Sequence, residues 1–181
     1  MKSERGQAGG KHRPLEAPEA FAKLYDRSHL IVFRFIYGLH GGPAEEVEDL
    51  TAETFLRAWN ARRSFDGSDE AALSWLLRIA RNLVVDVYRK QKSRGVEQEL
   101  TLDVPTREAG PEECALHGEQ VDLLLSLMDR LPIQQREILV LRYVVNWPVK
   151  RIAGHLGLLD NTVSVNIRRA LHRLKQNWPE D

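Results

Sequence analysis

A chain of 181 residues is long enough for one ordinary domain or two small ones, and 43% apolar with 29% charged residues excludes wholesale disorder. Basic and acidic side chains balance at 26 each, so a nucleic-acid role has to rest on how charge is distributed rather than on its total. The single cysteine, Cys114, rules out an internal disulfide framework, and the most apolar stretch, Leu30 to Leu39, is interrupted by Arg34 and too short for a bilayer span; with no apolar signal core either, the chain reads as soluble and cytoplasmic.

Residues 1–18 mix glycines, Pro14 and charges without an apolar period and read as a flexible tail. From Phe21, apolar residues recur as Leu24, Tyr25, Val32, Phe35, Ile36 and Leu39, the spacing of a helix with one buried face, which Gly41, Gly42 and Pro43 stop. A second helix is predicted from Ala44 to Arg62 with Val47, Leu50, Phe55, Ala58 and Trp59 inward. Ser64 to Glu70 reads as a loop, and a third helix from Ala71 to Lys92 carries Leu73, Leu76, Leu77, Ala80, Leu83, Val84, Val87 and Tyr88 on one stripe. These three helices make one bundle, over residues 19–93.

Between Ser93 and Gln120 the period disappears, and Pro105, Gly110 and Pro111 read as breakers. Seven acids stand there against Arg94 and Arg107, so residues 94–118 read as an acidic linker, either solvated or lodged in a basic channel. A second helical domain follows over residues 119–178. Val121, Leu124, Leu125, Met128 and Leu131 share a stripe, Pro132 suits a first helical position, and Ile133 to Val145 is apolar nearly all round. Two short helices, Val149 to Leu156 and Asn161 to Gln176, complete an all-α chain of two small domains.

Three surfaces stand out. In the second helix Glu46, Asp49 and Glu53 form an acidic stripe beside Leu56, which suits a basic protein surface or simply a solvated face. In the third, Arg78, Asn82, Asp86 and Arg89 lie away from the apolar stripe with Arg81 and Lys92 on the flank. From Arg78 to Arg94 six basic residues face one acid, a charge suited to phosphates, while Asn82 can pair with a base edge. Trp75, near the same side, either stacks on an unpaired base or caps the core. In the C-terminal run, Ile152, Ala153 and Leu156 form the inner face of one helix, Gly157 permits a tight turn, and Asp160 or Asn161 caps a second helix. That helix buries Val163, Ile167, Ala170, Leu171 and Leu174 and leaves Thr162, Ser164, Val165, Arg168, Arg169 and His172 outward: a helix-turn-helix, or else a purely structural hairpin.

With these residues in view, the chain resembles the extracytoplasmic-function sigma factors of the sigma-70 family, over about Phe21 to Lys175. EDLTAETFLRAW (Glu48 to Trp59) is similar to the polymerase-binding helix of region two, SWLLRIARNLVVDVYRK (Ser74 to Lys90) to its promoter-melting and minus-ten helix, and LPIQQREILVLRY (Leu131 to Tyr143) with the helix-turn-helix to region four. The resemblance implies an alternative sigma factor that binds core RNA polymerase at its clamp helices and flap. Glu46, Asp49, Glu53 and Leu56 then meet the clamp. Phe65, Asp66, Gly67, Trp75, Arg78, Arg81, Asn82 and Arg89 meet the minus-ten element, the loop capturing an unstacked base, a binding task without covalent chemistry. Thr162, Ser164, Val165, Asn166, Arg168 and Arg169 read the minus-thirty-five element, and the linker threads toward the active-centre and RNA-exit channels. The partners implied are core polymerase, double-stranded promoter DNA, its unpaired minus-ten strand and an anti-sigma protein, without membrane insertion. Val165 and Asn166 depart from the small polar and basic residues of many family members and leave the preferred minus-thirty-five sequence open.

A DNA-binding regulator that never joins polymerase would leave the acidic stripe and the first bundle unexplained, and a protein-only adaptor would not need two basic faces. An enzyme would need a phosphate loop, a metal-spaced cluster or a nucleophile motif, and the sequence has none; no catalytic residue, metal or cofactor is expected.

Overall fold

The computed structural model describes residues 14–94 and 111–179, and every regular element among them is helical. Helix α1 spans Pro18–His40, α2 Ala44–Ala61, α3 Asp69–Arg94, α4 Pro111–Asp129, α5 Ile133–Leu139, α6 Val149–Leu156 and α7 Asp160–Asn177. A 3-10 turn, Arg62–Ser64, follows α2, and a π-helical turn, Val140–Val144, prolongs α5.

Helices α1 to α3 pack on one another around Leu24, Val32, Phe35, Ile36, Val47, Phe55, Ala58, Leu76, Leu77, Ala80 and Val84, all buried as the apolar spacing requires. Thr51 and Thr54 sit in this core at little cost because their hydroxyls donate to the carbonyls of Val47 and Leu50, each at 2.7 Å. Gly41, in the left-handed region at φ 68°, ends α1 by donating its N–H to the Tyr37 carbonyl at 2.9 Å.

The C-terminal module packs α5 and α6 against α7 around Ile138, Leu141, Ile152, Val163 and Ala170. Gly157 turns the chain between α6 and α7 with φ 67°, as the helix-turn-helix pattern demands. Among the described residues, Asn146 is the one non-glycine with positive φ, 58°, and leads into the buried Trp147.

Several boundaries differ from the sequence expectation. The stretch read as a tail to residue 18 contributes Leu15, 1% exposed, to the core, and α1 begins at Pro18. The linker read over residues 94–118 is shortened at both ends, since α3 runs through Arg94 and α4 starts at Pro111; its middle, 95–110, lies outside the described residues. Pro111, a breaker in the sequence pattern, instead opens a helix, where a first position loses nothing by a missing N–H. Pro132 is the N-cap of α5 rather than its first residue, with ψ 136°. Leu159, not Asp160 or Asn161, caps α7, and no side chain bonds the free amides there. Leu171, expected to be buried, is 41% exposed and lines an apolar groove of about 470 Å³ with Tyr37, Gly38, Leu124, Tyr143 and Val144.

The two modules meet along a seam. Gly38 of α1 comes so close to Val140 that a Cβ there would lie 2.9 Å from a valine methyl carbon. Arg136, buried in α5, donates to the Leu39 carbonyl at 2.9 Å, to the Tyr88 hydroxyl at 2.7 Å and to Asp129 Oδ1 at 2.6 Å. The Tyr88 hydroxyl in turn donates to the His40 carbonyl at 2.9 Å. Cation and hydroxyl together satisfy carbonyls that the end of α1 would otherwise leave without partners. Burial pushes Tyr88 up to about 12, so it stays protonated at any physiological pH.

Candidate nucleic-acid interface

On α2, Asp49 and Leu56 are exposed, Leu56 at 55%. Glu46 is half-buried and bonds Nε2 of the buried His40 at 2.9 Å, and Glu53 pairs with Arg57 one turn on at 2.7 Å. The stripe is therefore partly committed within the chain. Outside the stripe, Glu48 and Ala52 of α2 line a shallow hollow with Tyr25, His29, Leu30 and Phe33 of α1. The apolar period misses that extension, because it assigns Tyr25 to the core and gives Leu30 no place, whereas the two are 42% and 55% exposed.

The loop before α3 is built from beneath by Phe65. Its ring is 7% exposed and stacks at a tilt on Trp75 with centroids 5.0 Å apart, so it shapes the loop while Asp66 is exposed. Gly67 is required by this packing, since a Cβ there would lie 2.7 Å from the Phe65 ring. Trp75 itself is half-buried against the core.

Along α3 the outward residues divide. Arg78, Asn82 and Arg89 are exposed, with Asp86 3.9 Å from Arg89. Arg81, half-buried, donates its Nε to Oε2 of Glu137 in α5 at 2.8 Å, and the Glu137 side chain is only 1% exposed. Burial raises Glu137 above the usual carboxylate range even though Arg81 opposes the shift. Ser74 bonds Nδ1 of His155 in α6 at 2.6 Å. Burial first, then the cations Arg78, Arg151 and Arg81, lowers His155 to about 4 and keeps its ring neutral. His155 also meets Trp147 edge to face, and Arg151 lies 4.3 Å over that indole.

On α7, Asn161, Ser164, Arg168, Arg169 and His172 are exposed, and Thr162 and Val165 are half-buried beside them. Steps of three and four residues put Asn161, Ser164, Val165, Arg168 and His172 on one side of the helix. Asn166 is turned inward: it donates to the Thr162 carbonyl at 2.9 Å and accepts from Gln135 at 3.4 Å, and Gln135 also accepts from Arg173 at 3.1 Å. The Ser164 hydroxyl donates to the Asp160 carbonyl at 3.0 Å.

Two helical modules, one carrying a basic long helix and the other a helix-turn-helix with a basic outer face, define a bipartite DNA-binding protein. The sigma-70 region 2 profile matches residues 24–94 and the sigma-70 region 4 profile residues 122–174. The chain is 36% identical over 179 residues to the extracytoplasmic-function sigma factor BldN of Streptomyces coelicolor, covering 98% of this chain and 65% of that one. It is 32% identical to the RNA polymerase sigma factor CnrH of Cupriavidus metallidurans (86% and 84% covered) and 28% identical to SigX of Bacillus subtilis (88% and 84%). Among solved structures, the fold is shared with the sigma factor RpoE of Bartonella quintana in complex with its anti-sigma factor NepR, at TM-score 0.70, 23% identity and coverage of 87% and 96%. CnrH in complex with the cytosolic domain of CnrY gives TM-score 0.63 at 26% identity, with 91% and 90% covered. The chain belongs to the sigma-70 family, within its extracytoplasmic-function group, and is an alternative sigma factor of transcription initiation. No helix among the described residues is long and apolar enough to cross a membrane.

Proposed function

We propose that this sigma factor joins core RNA polymerase through the α1–α2 face of Asp49, Leu56, Glu48 and Leu30, reads the minus-thirty-five element with α7, and holds the minus-ten strand open along α3. The observation that carries the reading is the outer side of α7, where Asn161, Ser164, Val165, Arg168 and Arg169 are accessible at the helix-turn-helix end that enters a major groove. Arg168 and Arg169 supply phosphate contacts or a guanine edge, and Val165 a thymine methyl contact. Thr162 and Ser164 lie nearest the groove. Asn166 acts by fixing the helix register through Gln135 and Thr162.

On α3, Arg78, Asn82 and Arg89 meet the unpaired strand together with Asp66 and Gly67, while Trp75 and Phe65 stiffen the loop from below. Arg81 joins them only when it is released from Glu137. All of this is binding work, carried out in the cytoplasm, with no covalent step. An anti-sigma protein is a further partner: the similar CnrH was solved with the cytosolic domain of CnrY, and the groove beside Tyr37, Leu124 and Leu171 offers an apolar seat. The test is to add the chain to core polymerase and sequence the RNAs made from a genomic template. Discrete new start sites sharing a two-part upstream motif are expected, and their absence would refute the reading.

A further inference from the structure

Helix α7 begins on a residue that does nothing for its stability. Leu159 is the N-cap, at φ −80° and ψ 147°, and its carbonyl accepts from the Val163 N–H at 3.1 Å, yet it brings no side-chain acceptor to the free amides of the first turn. Ser, Thr, Asp and Asn are favoured at N-caps for that acceptor, so a leucine here forgoes stability. It gains none by burial either: at 76% exposure it is the most exposed large apolar side chain among the described residues.

The exposure is built by the turn. The N–H groups of Gly157 and Leu158 both donate to the Ala153 carbonyl, the second at 2.9 Å, and Leu158 packs against the core. With Leu158 committed inward, the side chain of the extended residue after it is turned the other way, at the tip of α7.

The surroundings of the tip select its partner. Lys150 at the start of α6, and Arg168 and Arg169 about two turns along α7, are exposed and suit phosphates, whereas Asp160, next to Leu159, is an exposed carboxylate that repels them. From Asp160 to Ile167 there is no Arg or Lys, so the first two turns offer no cation to a guanine edge. Leu159, Thr162 and Val165 follow one another at steps of three and offer methyl groups in a row. Such a tip complements base edges and not the backbone, and the group in a major groove that an alkyl side chain recognises is the thymine 5-methyl.

We propose that Leu159 is a specificity-determining residue that packs on the 5-methyl group of a thymine in the minus-thirty-five element. This rests on the reading of α7 as the helix that enters that element. It accounts for a leucine where a capping side chain would stabilise the chain more.

The test uses the full chain bound to core RNA polymerase. A duplex library randomised over the minus-thirty-five region first yields the preferred element. The probe is then that element with each thymine replaced in turn by deoxyuridine, which pairs identically but lacks the methyl group. At one position the replacement should weaken binding by about three- to fivefold, the worth of one buried methyl group. Leu159→Ser, which keeps the fold by circular dichroism, should bind the thymine and deoxyuridine forms of that position equally, and Leu159→Met should restore the difference. Val165→Ala is the control and should leave the sensitivity at that position in place. If no deoxyuridine position loses its effect in Leu159→Ser, the thymine contact is wrong while α7 still reads the element. A Leu159→Ser chain that binds core polymerase more weakly in the absence of DNA would make the leucine a protein contact and overturn the proposal. If no element is selected at all, the reading of α7 fails and the proposal falls with it.

Discussion

Arg81 Nε and Glu137 Oε2 stand 2.8 Å apart across the seam, joining the helix read as the minus-ten surface to α5 of the C-terminal module. The acid is fully buried and the guanidinium about one third exposed, so the pair is asymmetric: losing the cation strands a charge, while losing the acid frees a partly solvated arginine.

Arg81→Met should therefore destabilise the chain more than Glu137→Gln. For a pair whose cation is partly solvated, about 1–3 kcal/mol is expected for Arg81→Met, below the range for a wholly buried pair. The sign with pH follows from Glu137, whose pKa is already raised in the folded chain and rises further once Arg81 is gone. The penalty is full above the variant's further-raised value and disappears as pH falls below the raised value of the original chain. Urea unfolding of both variants at several pH values checks this, and a penalty independent of pH would contradict it.

His155 titrates the other way. Its folded pKa of about 4 lies below the ordinary 6.5, so the stability it contributes is present above 6.5 and lost as pH falls from there toward 4. The groups facing it are Ser74, Arg78, Arg81, Arg151 and Trp147, and the three cations reinforce the direction. With its partial solvent access discounted, about 1–2 kcal/mol should be lost across that window. Thermal melts between pH 7 and pH 4.5 should show a fall that His155→Gln reduces.

Leu159 caps α7 with a 76% exposed apolar side chain and no bond to the free amides of the first turn. Leu159→Ser supplies an acceptor and should stabilise the C-terminal module by about 1 kcal/mol. A denaturation midpoint equal to or below that of the original chain would show that the leucine side chain contributes more here than a capping hydroxyl.

On the polymerase face, Asp49→Lys and Leu56→Ser change exposed residues, whereas Glu46 is bonded to His40. Both changes should weaken core polymerase binding, by tenfold or more together, with helical content and duplex binding by α7 unaltered. Glu46→Gln should have the smaller effect on core binding. Competition against a labelled sigma factor for core enzyme would measure all three.

On the recognition helix, Arg169→Ala should weaken binding to many sequences and flatten the salt dependence by roughly one counterion for each phosphate no longer neutralised. Val165→Arg should instead redirect sequence preference, by about 1–3 kcal/mol per base pair if a guanine contact forms. A randomised minus-thirty-five library transcribed with each protein distinguishes the two effects.

The all-α class, both domains and the order of their helices were legible in the chain itself, because a buried helical face writes its 3.6-residue period directly into the sequence through residues such as Leu76, Ala80 and Val84. The exposed cations Arg78, Arg168 and Arg169 were legible for the same reason. Which outward residues are free was decided only by the tertiary structure. Arg81 and Ser74 lie outside the apolar stripe of their own helix, and no local pattern reveals that Glu137 and His155, 56 and 81 residues away, would meet them. Phe65 is drawn into the core by Trp75, and Glu137 and Arg136 look like surface charges in any helical wheel of α5. Periodicity records the burial of one face of one helix; a second burial, against another module, depends on distances that sequence spacing does not contain.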